Sequence, residues 1–319
     1  RRFVEEVSLS LLDPVGRYRP EFSGLRVGRE VGAGIVSEPL KRPLTVYDLL
    51  RHTAGLTYGV FFRSPVKGLY LEAGVDRFDL SREVFLERLA ALPLRFQPGE
   101  TFEYGLATDL LGHLLEALAG RSLAELLEER LFRPLGMKDS GFQAKDPARL
   151  AQPFPKDPET GHSLRLLPVE TPPPRYAGGM GGVGTAADYL AFLEALRLGR
   201  GALSPTMAGF MVQDHLGSLY PEALKRGPEY LPGPGYSFGL GVAVRVEPMG
   251  YSPGALGEWT WAGFGGTFFF VDPLQEITAL YLAQAPNLLS VLEPEKALHS
   301  RLGARLQHAF RTLVYLGLE

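Results

Sequence analysis

Residues 99–120 read GETFEYGLATDLLGHLLEALAG, and the rest of the chain is best understood from this run outward. Pro98-Gly99 makes a turn, a short extended piece ends in Tyr104-Gly105, and a helix starts at once. Ala107, Leu110, Leu111, Leu114, Leu115 and Leu118 recur at helical spacing until Gly120 stops the pattern. Tyr104 therefore stands where a loop meets a helix. A phenol mounted there can pack its ring against rigid structure and offer its oxygen to a cleft.

Upstream of this run, residues 3–12 read as the tail of a helix, followed by a turn at Asp13-Pro14-Val15 and an irregular, glycine-containing segment from Val27 to Glu38. Thr45 caps a short helix carrying Val46, Leu49 and Leu50, which ends near His52-Thr53-Ala54-Gly55-Leu56. A long aromatic loop from Thr57 to Arg77 offers substrate-contacting surface. Ser81 caps the next helix, to about Ala91.

Downstream, Ser122 and Glu125 form a capping box, and Pro134-Leu135-Gly136-Met137 closes that helix. Gln152 to Arg175 is a proline-rich excursion without a period. Thr185 with Asp188 opens a helix to Leu198, and Ser204-Pro205 opens a short one. From Tyr236 the period becomes that of strands: Phe238–Val246, Gly257–Gly263, Gly266–Val271 and Glu276–Gln284, the last two joined across Asp272-Pro273. A helix from about Glu293 to Tyr315 ends the chain.

The composition removes several classes of function. With 319 residues, 45% apolar content and a net charge of −3, the chain can bury a large core and carries no excess of positive charge, so nucleic acid is not an expected partner. No apolar run reaches the roughly 20 residues of a membrane span. The absence of cysteine excludes thiolate catalysis, and the six histidines never fall at ligand spacing, so no metal and no cofactor is expected. A single asparagine, Asn287, with arginine in excess over lysine and proline-rich loops, is the composition of a heat-stable protein. The chain opens Arg1-Arg2-Phe3 within an uncapped helix, which points to a segment upstream.

Four spaced segments carry a resemblance: Leu44 to Leu56, the Tyr104 run, Pro134-Leu135-Gly136-Met137 with Gly141-Phe142, and Gly178 to Tyr189. Together they resemble the β-lactamase-like serine hydrolases, which include class C β-lactamases, D-alanyl-D-alanine peptidases (penicillin-binding proteins) and a group of carboxylesterases. The resemblance implies an α+β fold, an antiparallel β-sheet flanked by N- and C-terminal helices with an inserted all-helical subdomain. Residues 1–44 and 232–319 would form the sheet part and 45–231 the helical part.

The same resemblance implies an acyl-enzyme mechanism run by three motifs. Tyr104-Gly105-Leu106 matches the motif whose tyrosine shuttles protons, with Leu106 in place of the family's amide-bearing asparagine, which favours esters over lactams. Trp261-Ala262-Gly263 resembles the Trp-x-Gly strand motif of the esterase branch, where small residues let substrate lie against the strand. Phe264 would then supply its backbone amide to the oxyanion hole. The third motif, Ser-x-x-Lys, is expected upstream of Arg1. The Ser-x-x-Lys within the chain, Ser64-Pro65-Val66-Lys67, reads as a solvated loop, because Pro65 and Gly68 argue against a helix.

Asp109 and Asp188 read as first-turn residues favoured by the helix dipole, His113 as a structural or surface histidine, and His52 as a hydrogen-bonding one. The expected activity is that of a serine carboxylesterase on a small-molecule ester or amide. The alternatives are a β-lactamase or D-alanyl-D-alanine peptidase, and a non-catalytic relative that binds a ligand in the same cleft.

Overall fold

The computed structural model describes residues 2–6, 8–61, 64–158, 160–164, 167–201, 203–219, 231–286 and 304–318. The first helix, α1 (Arg2–Glu5), is shorter than its apolar content implies. Ser8 Oγ donates to the Phe3 carbonyl at 3.0 Å and the Ser10 amide donates to Asp13 at 2.8 Å, so side chains take over the bonding that a helix needs. The segment expected to be irregular is an antiparallel hairpin, β1 (Arg26–Val31) and β2 (Gly34–Pro39), turning through Gly32 at φ 58°. Most of β2 is exposed on both faces, so no alternation marked it as a strand.

The helices that follow begin where their caps place them. Thr45 and Asp48 form a capping box on α2 (Val46–Leu50). The expected loop after Thr57 contains α3 (Pro65–Ala73), a correction with a local cause. Ser64 Oγ accepts the Lys67 amide as N-cap, and Pro65 occupies the first helical position, where its missing N–H costs nothing. Val66, Lys67 and Tyr70 are buried by this helix, and that burial outweighs the roughly 1 kcal/mol penalty of Gly68. Next come α4 (Arg82–Ala91), capped by Ser81, and α5 (Ala107–Ala119), ended by Gly120 at φ 64°. The Ser122–Glu125 box starts α6 (Leu123–Leu127), and a π-helical turn over Glu128–Phe132 follows it. Beyond the excursion lie α7 (Ala186–Arg197) and α8 (Pro205–Met211), capped by Thr185 and Ser204.

The chain then forms an antiparallel meander of β3 (Tyr236–Phe238), β4 (Ala243–Arg245), β5 (Trp259–Ala262), β6 (Phe268–Asp272) and β7 (Ile277–Tyr281), neighbours in sequence pairing in order. The single strand expected over Phe238–Val246 is two, because the Gly239 amide donates to the Val242 carbonyl at 2.7 Å and closes a tight turn with Gly241 at φ 94°. The last helix is α9 (Ala304–Leu316); the part of its expected span before 304 lies outside the described residues.

Strand alternation gives the sheet two different partners. Phe269 and Val271 of β6 pack with Trp259 against Leu193 and Leu196 of α7 and Met211 of α8. Phe268 and Phe270 face the other way, against Phe310, Val314 and Tyr315 of α9. Glu258, at the start of β5, is fully buried and ion-paired with Arg311 of α9 at 2.5 Å, with Tyr236 donating to the same carboxylate at 2.6 Å. A separate core is built from Leu49, Val66, Tyr70, Phe85, Leu89, Leu110 and Leu114 of α2 to α5, with Phe3 and Val4 of α1 packed on it. Among the described residues, no helix is long and apolar enough to cross a membrane.

Candidate active site

Tyr104 is set from behind by His52. This histidine, at φ 54°, accepts the Glu103 amide on its carbonyl at 2.8 Å and the Gly105 amide on Nδ1 at 3.4 Å. Its Nε2 meets Thr108 Oγ1, on the first turn of α5, at 3.2 Å. A nitrogen that accepts carries no proton, and burial pushes the imidazole down to about 3. His52 is a neutral strut that fixes the corner between the extended piece and α5. Its ring lies 4.7 Å from that of Tyr104.

The Tyr104 ring, half-buried, is walled by Tyr58 at 5.5 Å and Trp261 at 5.2 Å, and Phe238 stands 5.1 Å behind Trp261. Loop, helix and sheet thus meet in one aromatic cluster. Burial raises the Tyr104 phenol above its ordinary range, the Trp261 indole opposes that rise and the Asp109 charge adds to it. The phenol is therefore protonated at neutral pH.

Tyr58 is the residue that sequence reasoning missed, named only as part of a loop. It is buried, and burial together with the nearby Tyr104, Asp109 and Asp76 raises its hydroxyl well above the ordinary phenol range. Asp76 holds its loop, accepting the Gly59 and Val60 amides at 2.7 and 3.1 Å, and burial pushes this carboxyl up to about 6. Asp109 does lie in the first turn of α5, but it does not cap the helix from its surface. It is fully buried and paired through Oδ1 with the equally buried Arg175 at 3.2 Å, while Oδ2 has no hydrogen-bond partner among the described residues. The signal for this pair was unreadable in sequence, because the two residues lie 66 positions apart.

The other expected site residues divide. Trp261 meets Tyr104, Ala262 ends the strand at the surface, and Gly263 follows it there. Phe264 is 52% exposed, and among the described residues its amide donates no hydrogen bond. Leu106 does not line a cleft: it is fully buried in the core of α2 to α5, because the chain turns inward as α5 begins. Lys67 is not solvated either, being 1% exposed and 3.4 Å from Glu103. Asp188 accepts the Asp139 amide and the Ser140 hydroxyl at 2.8 and 2.9 Å, and His113 is buried against Glu116 at 2.8 Å, both structural roles. Among the described residues no three acidic or histidine side chains converge to hold a metal ion.

The β-lactamase family model matches residues 2–299. This chain belongs to the β-lactamase family. As a member, it is 33% identical over 302 residues to esterase EstB of Burkholderia gladioli, covering 88% of this chain and 72% of that one. It is 29% identical over 305 residues to the lovastatin esterase of Penicillium rubens, covering 88% and 75%. Among solved structures, EstCE1, described as a hydrolase with promiscuous acyltransferase activity, superposes with a TM-score of 0.74 at 29% identity over 94% of this chain and 80% of its own. These esterase relatives support a hydrolase of the β-lactamase fold.

Proposed function

We propose that this β-lactamase-family protein is a serine carboxylesterase for small, uncharged, largely apolar esters. The observation that carries the reading is the cluster of Tyr58, Phe238 and Trp261 around the Tyr104 phenol, with the neutral imidazole of His52 against its ring. Apolar ester groups gain burial against such rings. The nucleophile in this reading is the serine of a Ser-x-x-Lys segment preceding Arg1. Ser64 is not used, since its hydroxyl caps α3 and Lys67 turns inward to Glu103.

In the first half-reaction the serine gives its proton to the lysine of its own motif as its oxygen bonds to the ester carbonyl carbon; the ester C–O bond then breaks, Tyr104 passes its proton to the departing alkoxide, and the lysine returns one to Tyr104. In the second, water gives a proton to the lysine as its oxygen bonds to the acyl carbon, the bond to serine breaks, and the serine oxygen takes a proton back along the same path, releasing the acid. The Phe264 amide, without a hydrogen-bond partner among the described residues, donates to the carbonyl oxygen as negative charge builds on it.

The test is hydrolysis of p-nitrophenyl butyrate by the full-length gene product. Tyr104→Phe is expected to lower kcat at least about 100-fold with unfolding behaviour unchanged. Undiminished turnover would remove Tyr104 from the chemistry. Rapid acylation by labelled penicillin would favour the lactam alternative, and no turnover of any ester or lactam would favour a binding role.

A further inference from the structure

The two site tyrosines are each preceded by a residue that points the other way. Thr57, before Tyr58, and Glu103, before Tyr104, are 0% and 2% exposed and meet behind the aromatic cluster. Thr57 Oγ1 donates to Glu103 Oε1 at 2.6 Å. Lys67 Nζ of α3 lies 3.4 Å from the same oxygen, and Arg95 Nη1 donates to Oε2 at 2.8 Å.

The backbones are in equally close contact. A Cβ on Gly105 would stand 2.4 Å from Thr57 Cα and 2.5 Å from the Leu56 carbonyl oxygen, so the run 103–105 lies flush on 56–58. Apolar packing alone would let these strips slide past one another. A short hydrogen bond to a carboxylate is directional, and the two cations hold that carboxylate in one orientation. Buried ion pairs gain little over well-packed apolar residues in stability, so their use here calls for a geometric explanation.

We infer that Glu103, through Thr57, is the positioning residue that sets the spacing of the Tyr58 and Tyr104 phenols. Glu103 touches no substrate. It acts by holding the strip that carries Tyr58 in register with the strip that carries Tyr104, and Lys67, the lysine of the internal Ser-x-x-Lys, serves this purpose. The activity consequence rests on the esterase reading above, whereas the geometric one does not.

The deciding variant is Thr57→Val in the full-length protein, which removes the tie and keeps the shape and all three charges. Thr57→Ser restores the hydroxyl. The protein is labelled with 13Cζ-tyrosine, and the Tyr58 and Tyr104 resonances are assigned from Tyr58→Phe and Tyr104→Phe. In Thr57→Val both resonances should move and kcat for p-nitrophenyl butyrate should fall about tenfold, as expected when a reacting group is misplaced by part of an ångström, with KM nearly unchanged. Thr57→Ser should return all of them to wild-type values. Unmoved resonances in Thr57→Val, or a failure of Thr57→Ser to restore them, would overturn the inference. If the wild type turns over no ester, the esterase reading fails alone, and the resonances still decide this one.

Discussion

Lowering the pH from 7.5 to 5.0 should weaken folding by about 2 kcal/mol through His52 alone. The imidazole titrates near 6.5 in the unfolded chain and at about 3 in the folded one. A folded-state value below the unfolded one means that the contribution is complete above pH 6.5 and is lost progressively as the pH falls toward 3. At pH 5.0 the unfolded histidine is protonated and the folded one is not. The 1.5 pH units between 6.5 and 5.0, at about 1.4 kcal/mol each, give the figure. The structural cause is explicit, since a proton on Nδ1 would face the Gly105 amide hydrogen in a site closed to water. The assay is urea unfolding at both pH values for wild type and His52→Asn, asparagine being tolerant of the left-handed backbone at this position. The wild type should lose about 2 kcal/mol more than the variant. Equal losses would refute the neutral strut.

Asp76 works in the opposite direction. Its folded-state carboxyl, at about 6 against an ordinary 3.8, binds a proton before the unfolded chain does, so it adds up to about 3 kcal/mol as the pH falls from 6 to 4. Asp76→Asn should abolish that rise in the same titration. Arg175→Met leaves Asp109 buried without its cation and should cost about 3–5 kcal/mol by chemical denaturation, whereas pairing it with Asp109→Leu should recover most of the loss. Gly105→Ala forces a methyl group onto the Thr57 backbone and should cost about 1–3 kcal/mol, read as a lower thermal midpoint together with reduced ester turnover. Trp261→Phe removes the indole that opposes the rise of the Tyr104 phenol, so the alkaline limb of the kcat profile should move to higher pH.

What could be read in the sequence was local chemistry. The caps at Thr45, Ser81, Ser122, Thr185 and Ser204 start helices because the bonding partner lies three residues away. Tyr104 and Trp261 stood out because motif neighbours surround them, and their rings lie 5.2 Å apart. What escaped depends on distant contacts. The helix α3 forms against the warning of Pro65 and Gly68 because Val66, Lys67 and Tyr70 find burial sites on other elements. The exposed hairpin has no buried face to impose a pattern. Tyr58, Asp76 and the Asp109–Arg175 pair become site features only when α5, the loop after Gly55 and the end of the excursion come together.

That meeting also bears on how the protein would respond to a protease. Arg175 ends the proline-rich excursion and is locked inside the protein by Asp109, while the Val169 and Glu170 carbonyls accept bonds from Ala144 and Gln143 at 2.7 and 2.9 Å. Cleavage in the exposed run 151–156 would therefore cut the chain without freeing the far side of the cut. The nicked protein would run as two fragments in a denaturing gel and as one species in native chromatography, with the wall beside Tyr58 still standing.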